Sequence, residues 1–261
     1  MIQLEKVSKR YGSVMAVDDL SLTVRKSELL VVLGGSGSGK TTTLKMINRL
    51  VEPSKGAICL DGKDITEVEP HELRRHIGYV FQQVGLFPHM SVSENMAITL
   101  QLLDWSAVRI KTRIEELLAL VELEPSMLNR MPSELSGGEQ QRVGVARALA
   151  AEPTVMLLDE PFGSLDPLTR GRLQESFAKI RRRLGLTSIL VSHDMVEALL
   201  LGDRIAVMDR GRLVQVGTPH ELVRCPASDY VKQLMHTPRR QAKAVDDLLV
   251  DDKDVSDKFS Q

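Results

Sequence analysis

The chain has 261 residues, 43% of them hydrophobic and 26% charged, which gives room for one large or two small globular domains and excludes a disordered composition. Lys and Arg number 34 and Asp and Glu 35, a net charge of −1, so no global field favours nucleic acid or an anionic membrane as a partner. The nine aromatic residues (Trp105, three Tyr and five Phe) are too few for a broad base-stacking platform.

The opening stretch Met1–Gly12 lacks the apolar run of a signal peptide, and no apolar stretch approaches the ~18 residues a membrane helix needs. Ile2–Val7 and Leu20–Val24 alternate apolar with polar residues, as half-buried strands do. Leu29–Leu33 is wholly apolar and reads as a central strand. A Gly-rich turn follows, then a helix over Lys40–Val51. Ala57–Leu60 returns to a strand pattern, with Asp61-Gly62 as its turn. A short helix near His71–Arg75 precedes the strand Ile77–Phe81.

From Ser91 to Ala151 the signals are helical. Ser91 with Glu94, and Ser136 with Glu139, have capping-box spacing. Val108, Ile110, Ile114, Leu117, Leu118 and Val121 recur at helical intervals between Trp105 and Val121. Alternation then resumes: strand Thr154–Leu158, helix Leu168–Leu184, strand Ser188–Val191 and helix Met195–Leu201. Arg204–Met208 and Leu213–Val216 read as a hairpin turning at Arg210-Gly211, and Thr218-Pro219-His220-Glu221 opens a last helix. The segment 237–261 holds five basic and six acidic residues and reads as a polar, flexible tail. The two cysteines, Cys59 and Cys225, form neither a disulfide framework nor a zinc pattern and read as small buried hydrophobes. His71, His76, His89, His220 and His236 show no ligand spacing and read as surface or loop residues. The alternation of strands and helices predicts an α/β fold with a mainly parallel sheet covered on both faces.

Two patterns carry chemistry. Gly34-Gly35-Ser36-Gly37-Ser38-Gly39-Lys40-Thr41 satisfies G-x-x-x-x-G-K-[ST] between a buried strand and a helix, as a phosphate-binding loop requires. Its glycines aim successive N–H groups into one concavity, and the helix N-terminus adds partial positive charge. In that reading Lys40 reaches the β- and γ-phosphates, the Thr41 hydroxyl holds Mg²⁺, and Thr42 continues the cradle. Val155–Leu158 ends in Asp159-Glu160, two acids at the carboxyl edge of a strand, where open α/β sheets bind ligands. Asp159 suits Mg²⁺, and Glu160 suits the orientation and deprotonation of a water attacking the γ-phosphate.

A third pattern, Leu135-Ser136-Gly137-Gly138-Glu139-Gln140-Gln141-Arg142, is the signature of ATP-binding cassette (ABC) ATPases, and the chain to about residue 235 resembles that family. The resemblance implies a P-loop NTPase cassette over residues 1–236, with an N-terminal antiparallel β-subdomain and a helical subdomain inserted at about 88–151. It implies ATP and Mg²⁺ as cofactors. Tyr11 falls where such proteins stack an aromatic ring on adenine, with Val17 packing nearby. Gln82 matches the glutamine that touches Mg²⁺ and the attacking water. Asp166, in Ser164-Leu165-Asp166, matches a loop that crosses a dimer interface, and His193 matches the histidine that contacts the γ-phosphate. Two copies would pair head to tail, each ATP lying between the phosphate loop of one and Ser136-Gly137-Gly138 of the other.

Only one phosphate loop and one signature are present, and 53 residues separate Gln82 from Ser136, too few for a long coiled coil. Translation-type and DNA-repair-type ABC ATPases therefore fit less well than a transporter ATPase. Leu86-Phe87-Pro88-His89 resembles importers, and Phe87, Pro88 and His89 are the candidates for contact with a permease. Thr41–Pro53 and Glu72–Val80 resemble the ATPases for quaternary-amine osmoprotectants such as glycine betaine, choline and carnitine. The implied partners are a second copy, a transmembrane permease and a solute-binding protein, with no nucleic acid, at the cytoplasmic face of the membrane. An ABC ATPase for another solute, such as an amino acid, or one outside transport, is the alternative. Many such relatives carry C-terminal regulatory domains; with about 25 residues following the cassette, regulation by such a pair is not expected here.

Overall fold

The first hairpin joins β1 (Ile2–Tyr11) to β2 (Val14–Val24) through Gly12, whose φ of +56° suits a residue without Cβ. The structure, a computed structural model, describes residues 1–237. The fully buried β3 (Leu29–Leu33) follows, then α1 (Lys40–Ile47), β4 (Lys55–Leu60), the two-residue β5 (Lys63–Asp64), α2 (Pro70–Arg75) and β6 (Ile77–Val80). Three helices come next: α3 (Val92–Gln101), α4 (Ala107–Leu120) and α5 (Gly137–Leu149). The remainder is β7 (Val155–Asp159), α6 (Pro167–Leu184), β8 (Thr187–Ser192), α7 (Met195–Leu201), β9 (Arg204–Asp209), β10 (Arg212–Gly217) and α8 (Pro219–Arg224).

Two sheets result. One is antiparallel, in the order β2-β1-β4-β5; the other is six-stranded, β10-β9-β3-β8-β7-β6. Within the larger sheet every pairing from β9 to β6 is parallel, and only β10 runs against its neighbour. All residues of β3, β7 and β8 are buried, as expected of strands covered on both faces. The pleat of β3 divides the core in two. Leu29, Val31 and Leu33 face the cluster of Met96, Leu117, Val143 and Phe177. Leu30 and Val32 face the other side, with Ile2, Val7, Leu44 and Ile58 of the small sheet and α1. α3 packs on α4 and α5, and α5 also reaches β6 and α6, so the helical stretch between β6 and β7 is tied to the sheet edge.

Several expectations need correction. β1 runs on to Tyr11 and β2 starts at Val14, because bulges near Lys6 (φ +47°) and Asp19 (φ +50°) break the period-two pattern that would have shown their length. α1 stops at Ile47 rather than Val51, since Arg49 turns left-handed (φ +48°) and donates to the carbonyls of Ile65 and Val68. Cys59 is half-buried on the outer side of β4 and Cys225 is exposed at the end of α8, so neither is a core hydrophobe. Val108 lies 79% exposed in the first turn of α4, outside the stripe of Ile114, Leu117 and Leu118 that packs inward. His236 is half-buried, unlike the exposed His71, His76, His89 and His220. Beyond its first residue, the polar tail expected over 237–261 lies outside the described residues.

Candidate active site

The turn from β3 into α1 is built around two glycines, Gly34 and Gly39, that leave no space for a side chain. A Cβ on Gly34 would collide with the Met208 carbonyl, and one on Gly39 (φ +98°) would come within 2.5 Å of the Ala16 carbonyl oxygen. The turn is tied to its surroundings by Gly211 N–H donating to the Ser38 carbonyl at 3.1 Å. No side chain caps α1, so the N–H groups of its first turn stay available. Lys40 is 6% exposed and folds back over the loop, donating to the carbonyls of Gly34 (2.8 Å) and Gly35 (2.9 Å). Burial pushes its pKa down, against the opposing pull of Glu160 and Asp159. A buried ammonium, open helix N–H groups and glycines left without Cβ form a donor set that fits a polyphosphate.

β7 delivers the two acids. Asp159 is 7% exposed, and its Oδ1 accepts from the Thr41 hydroxyl at 2.8 Å. Burial raises its pKa in spite of that hydrogen bond. Among the described residues no three His, Cys, Asp or Glu side chains cluster to hold a metal. One carboxylate, one hydroxyl and a nearby glutamine amide are hard oxygen donors too few for a protein cage. They suit a cation such as Mg²⁺ that keeps water and phosphate ligands.

Glu160 sits in a left-handed backbone conformation (φ +46°), fixed by its N–H donating to the Val191 carbonyl at 3.0 Å. Its Oε2 accepts from Gln82 Nε2 at 3.1 Å and lies 3.1 Å from His193 Nδ1. Gln82, Glu160 and His193 follow the ends of β6, β7 and β8. Three adjacent parallel strands thus place them on one edge. The strained backbone at Glu160 is an outlier of the kind that accumulates at functional positions.

A cleft of about 730 Å³ unites these groups: the stretch Ser36–Thr42 forms its floor, with Gln82, Glu160, His193 and Tyr11 around it. Tyr11 is 47% exposed, and the Lys9 ammonium lies 5.1 Å from its ring centroid. Val17 is fully buried beneath Gly39 and does not line the cleft; Val14, Met15 and Ala16 do. Two exposed hydrophobes beside Tyr11 at a hairpin turn were the available signal for Val14 and Met15.

The signature residues stand apart from this cleft. Ser136 caps α5 in a capping box with Glu139, whose carboxyl the Ser136 hydroxyl and N–H hold below its usual range. A Cβ on Gly138 would lie 2.6 Å from Thr169 Cγ2, so this glycine lets α5 approach α6, whereas Gly137 is exposed. Asp166 caps α6 by accepting from the N–H groups of Leu168 and Thr169. Ser136, Gly137, Gly138 and Asp166 therefore share a second locus, and one protomer does not bring it to Lys40.

Phe87, Pro88 and His89 are exposed, and Phe87 lines a groove of about 300 Å³ with Arg74, Phe81 and Leu102. Two further residues escaped sequence reasoning. Arg147 of α5 donates to the carbonyls of Val84 (3.0 Å) and Gly85 (2.9 Å), pinning the segment after Gln82. The Tyr230 hydroxyl accepts from Gly35 N–H at 3.3 Å. Neither sits in a recognisable motif.

The sequence profile described as ABC transporter matches residues 17–163. The chain is 53% identical over 240 residues to the glycine betaine/carnitine/choline transport ATP-binding protein of Bacillus subtilis, covering 92% of this chain and 63% of that one. It is 52% identical over 233 residues to the glycine betaine uptake system ATP-binding protein of Escherichia coli, covering 89% of this chain and 76% of that one. It thus spans a little under two thirds of the first of these relatives. Among solved structures, a dimeric bacterial ABC transporter cassette superposes with a TM-score of 0.76 at 34% identity, over 84% of this chain and 99% of that one.

Proposed function

The chain belongs to the ABC transporter family, and from that premise we propose that it is the ATP-hydrolysing subunit of an importer for a quaternary-amine solute: glycine betaine, choline or carnitine. The observation that carries the ATPase reading is the sharing of one cleft by Lys40, Gln82, Glu160 and His193, which come from four different elements. The cargo reading is supported by identities of 53% and 52% to relatives named for these solutes.

Each residue has a task that its surroundings suit. Tyr11 offers an exposed ring to adenine. Lys40 exchanges the carbonyls of Gly34 and Gly35 for phosphate oxygens, which return to the buried ammonium the charge compensation that burial removed. Gly37, Ser38, Gly39, Thr41 and Thr42 present backbone N–H groups or hydroxyls. Thr41, Asp159 and Gln82 would hold Mg²⁺, which neutralises phosphate charge when bound. Glu160 accepts the proton of the water whose oxygen attacks the γ-phosphorus, with ADP leaving. Gln82 and His193 hold Glu160 Oε2 from two sides, which fixes the direction of that proton transfer.

The separation of Ser136, Gly137, Gly138 and Asp166 from the cleft supports a head-to-tail pair, in which a second copy presents its signature helix to the bound triphosphate. The other partners in this reading are a transmembrane permease meeting the groove beside Phe87, and a solute-binding protein. The subunit then sits at the cytoplasmic face of the membrane. Among the described residues no helix is long and apolar enough to cross a membrane. In the same reading residues 1–236 form one cassette, with residues 88–151 as its helical arm.

Two measurements test the proposal. Purified protein should hydrolyse ATP in the presence of Mg²⁺, and Lys40→Ala should lose nucleotide affinity; unchanged affinity in that variant would undo the loop assignment. A strain lacking this chain should lose uptake of at least one of labelled betaine, choline and carnitine. Unaffected uptake of all three would remove the cargo assignment while leaving the ATPase intact.

A further inference from the structure

The last described segment reaches the phosphate loop. Residues 229–237 are helical, and Val231 (0% exposed) and Met235 (5%) seat this helix on the core. Ser228 closes its first turn, with Oγ accepting from Val231 N–H at 3.3 Å. Gln215 of β10 fixes the approach: its amide donates to the Cys225 carbonyl at 2.9 Å and its Oε1 accepts from Ala227 N–H at 2.8 Å. Tyr230 is therefore held with its ring half-buried against the core and its hydroxyl on Gly35 N–H.

What makes this contact informative is the other side of Gly35. Its carbonyl accepts from Lys40 Nζ at 2.9 Å and from Ser38 N–H at 3.3 Å. One residue thus receives the C-terminal helix on its N–H and the phosphate-binding lysine on its carbonyl. Gly35 has no side chain to restrain it, and an added Cβ would meet nothing nearer than the Tyr230 hydroxyl, 4.0 Å away. An exposed glycine loses much conformational freedom when a ligand orders it. A tether that orders it beforehand lowers that cost and strengthens binding.

We propose that Tyr230 is a positioning residue of the phosphate loop: through Gly35, its hydroxyl holds the loop in the form that receives a polyphosphate, so the C-terminal helix sets nucleotide affinity. This inference rests on the ATPase reading above. The effect belongs to binding rather than chemistry, because among the described residues Tyr230 makes no hydrogen bond to Gln82, Glu160 or His193.

The test is Tyr230→Phe, which removes one oxygen and leaves the packed ring. Equilibrium Kd values for MgATP and MgADP, steady-state KM and kcat, and Tm would be measured on the full chain. A single hydrogen bond of this kind corresponds to about two- to tenfold in affinity. Both Kd values and KM should rise by about that factor, since both nucleotides place a β-phosphate in the loop. The kcat should stay within about twofold, and Tm should fall by no more than about 2–4 °C, the shift that loss of one hydrogen bond of ~1 kcal/mol produces in a domain of this size. Unchanged Kd values would overturn the inference, as would a fall in kcat at constant Kd. Wild-type protein that binds neither nucleotide would overturn the ATPase reading itself, a result distinct from a silent Tyr230→Phe.

Discussion

Replacing Glu160 by Gln isolates proton acceptance from geometry. Both contacts to Glu160 Oε2 come from groups that can donate, Gln82 Nε2 at 3.1 Å and His193 Nδ1 at 3.1 Å. An amide oxygen in the same place accepts both, and the left-handed backbone of residue 160 is the same for either side chain. What is lost is a base able to take a proton from water. General-base catalysis contributes roughly 10²–10⁴-fold, or about 3–5 kcal/mol of barrier at about 1.4 kcal/mol per tenfold. Single-turnover hydrolysis by Glu160→Gln should slow by that factor. ATP affinity should be equal to or tighter than that of the parent, because one negative charge has left the neighbourhood of the phosphates. An ATP-bound dimer should accumulate on size exclusion. A companion variant separates strain from chemistry: Glu160→Gly relieves the positive φ, and should gain about 1 kcal/mol of stability while losing turnover to a similar degree. Wild-type turnover by Glu160→Gln would refute the base assignment. Lost ATP binding would refute the claim that the two hydrogen bonds keep the site in shape.

Three further outcomes are expected. Tyr11→Ala should weaken ATP binding by about tenfold, in line with ~1–3 kcal/mol for stacking of a base on an aromatic ring. Its stability should change by less than about 0.5 kcal/mol, since the ring is exposed, and an unchanged Kd would remove the stacking role. Ser136→Ala should cost about 1 kcal/mol through loss of the α5 cap, whereas Ser136→Asn keeps a capping oxygen and should not. Both should leave ATP binding by a single protomer intact and impair hydrolysis by the dimer, a split visible when thermal melts are compared with turnover. Asp159→Asn should raise Tm at neutral pH, because it removes a charge that burial disfavours. The sign follows from burial. The folded-state pKa of Asp159 is raised, so folding favours its protonated form. Its contribution to stability falls as pH rises from the ordinary carboxylate value through the raised one. Melting curves for the parent and Asp159→Asn should therefore converge at acid pH, and curves that stay parallel at all pH values would contradict this account.

The groups that do the proposed chemistry were legible in the sequence because their geometry is local. A buried strand, a glycine turn and a helix start generate the concavity at Gly34–Thr41 whatever surrounds them, and a strand ending in Asp159-Glu160 puts two acids on a sheet edge. Helix caps at Ser91, Ser136, Asp166 and Thr218 were equally readable, since a cap and its partner lie two or three residues apart. Other features depended on residues far apart in the chain. Bulges in β1 and β2 hid the length of the first hairpin, and with it the rotation that buries Val17 and turns Val14 and Met15 into the cleft. Arg147 and Tyr230 act on backbone atoms 63 and 195 positions away, and no spacing in the chain encodes such a pairing. Only the packed sheet, with β6, β7 and β8 side by side, brought Gln82, Glu160 and His193 to one carboxylate oxygen. Only the packing of α5 on α6 set Ser136 and Asp166 away from Lys40. Local order along the chain sets which chemical groups are present and how each turn presents them. Which of them meet is settled by long-range packing, because that depends on strand order and on which face each bulge turns inward.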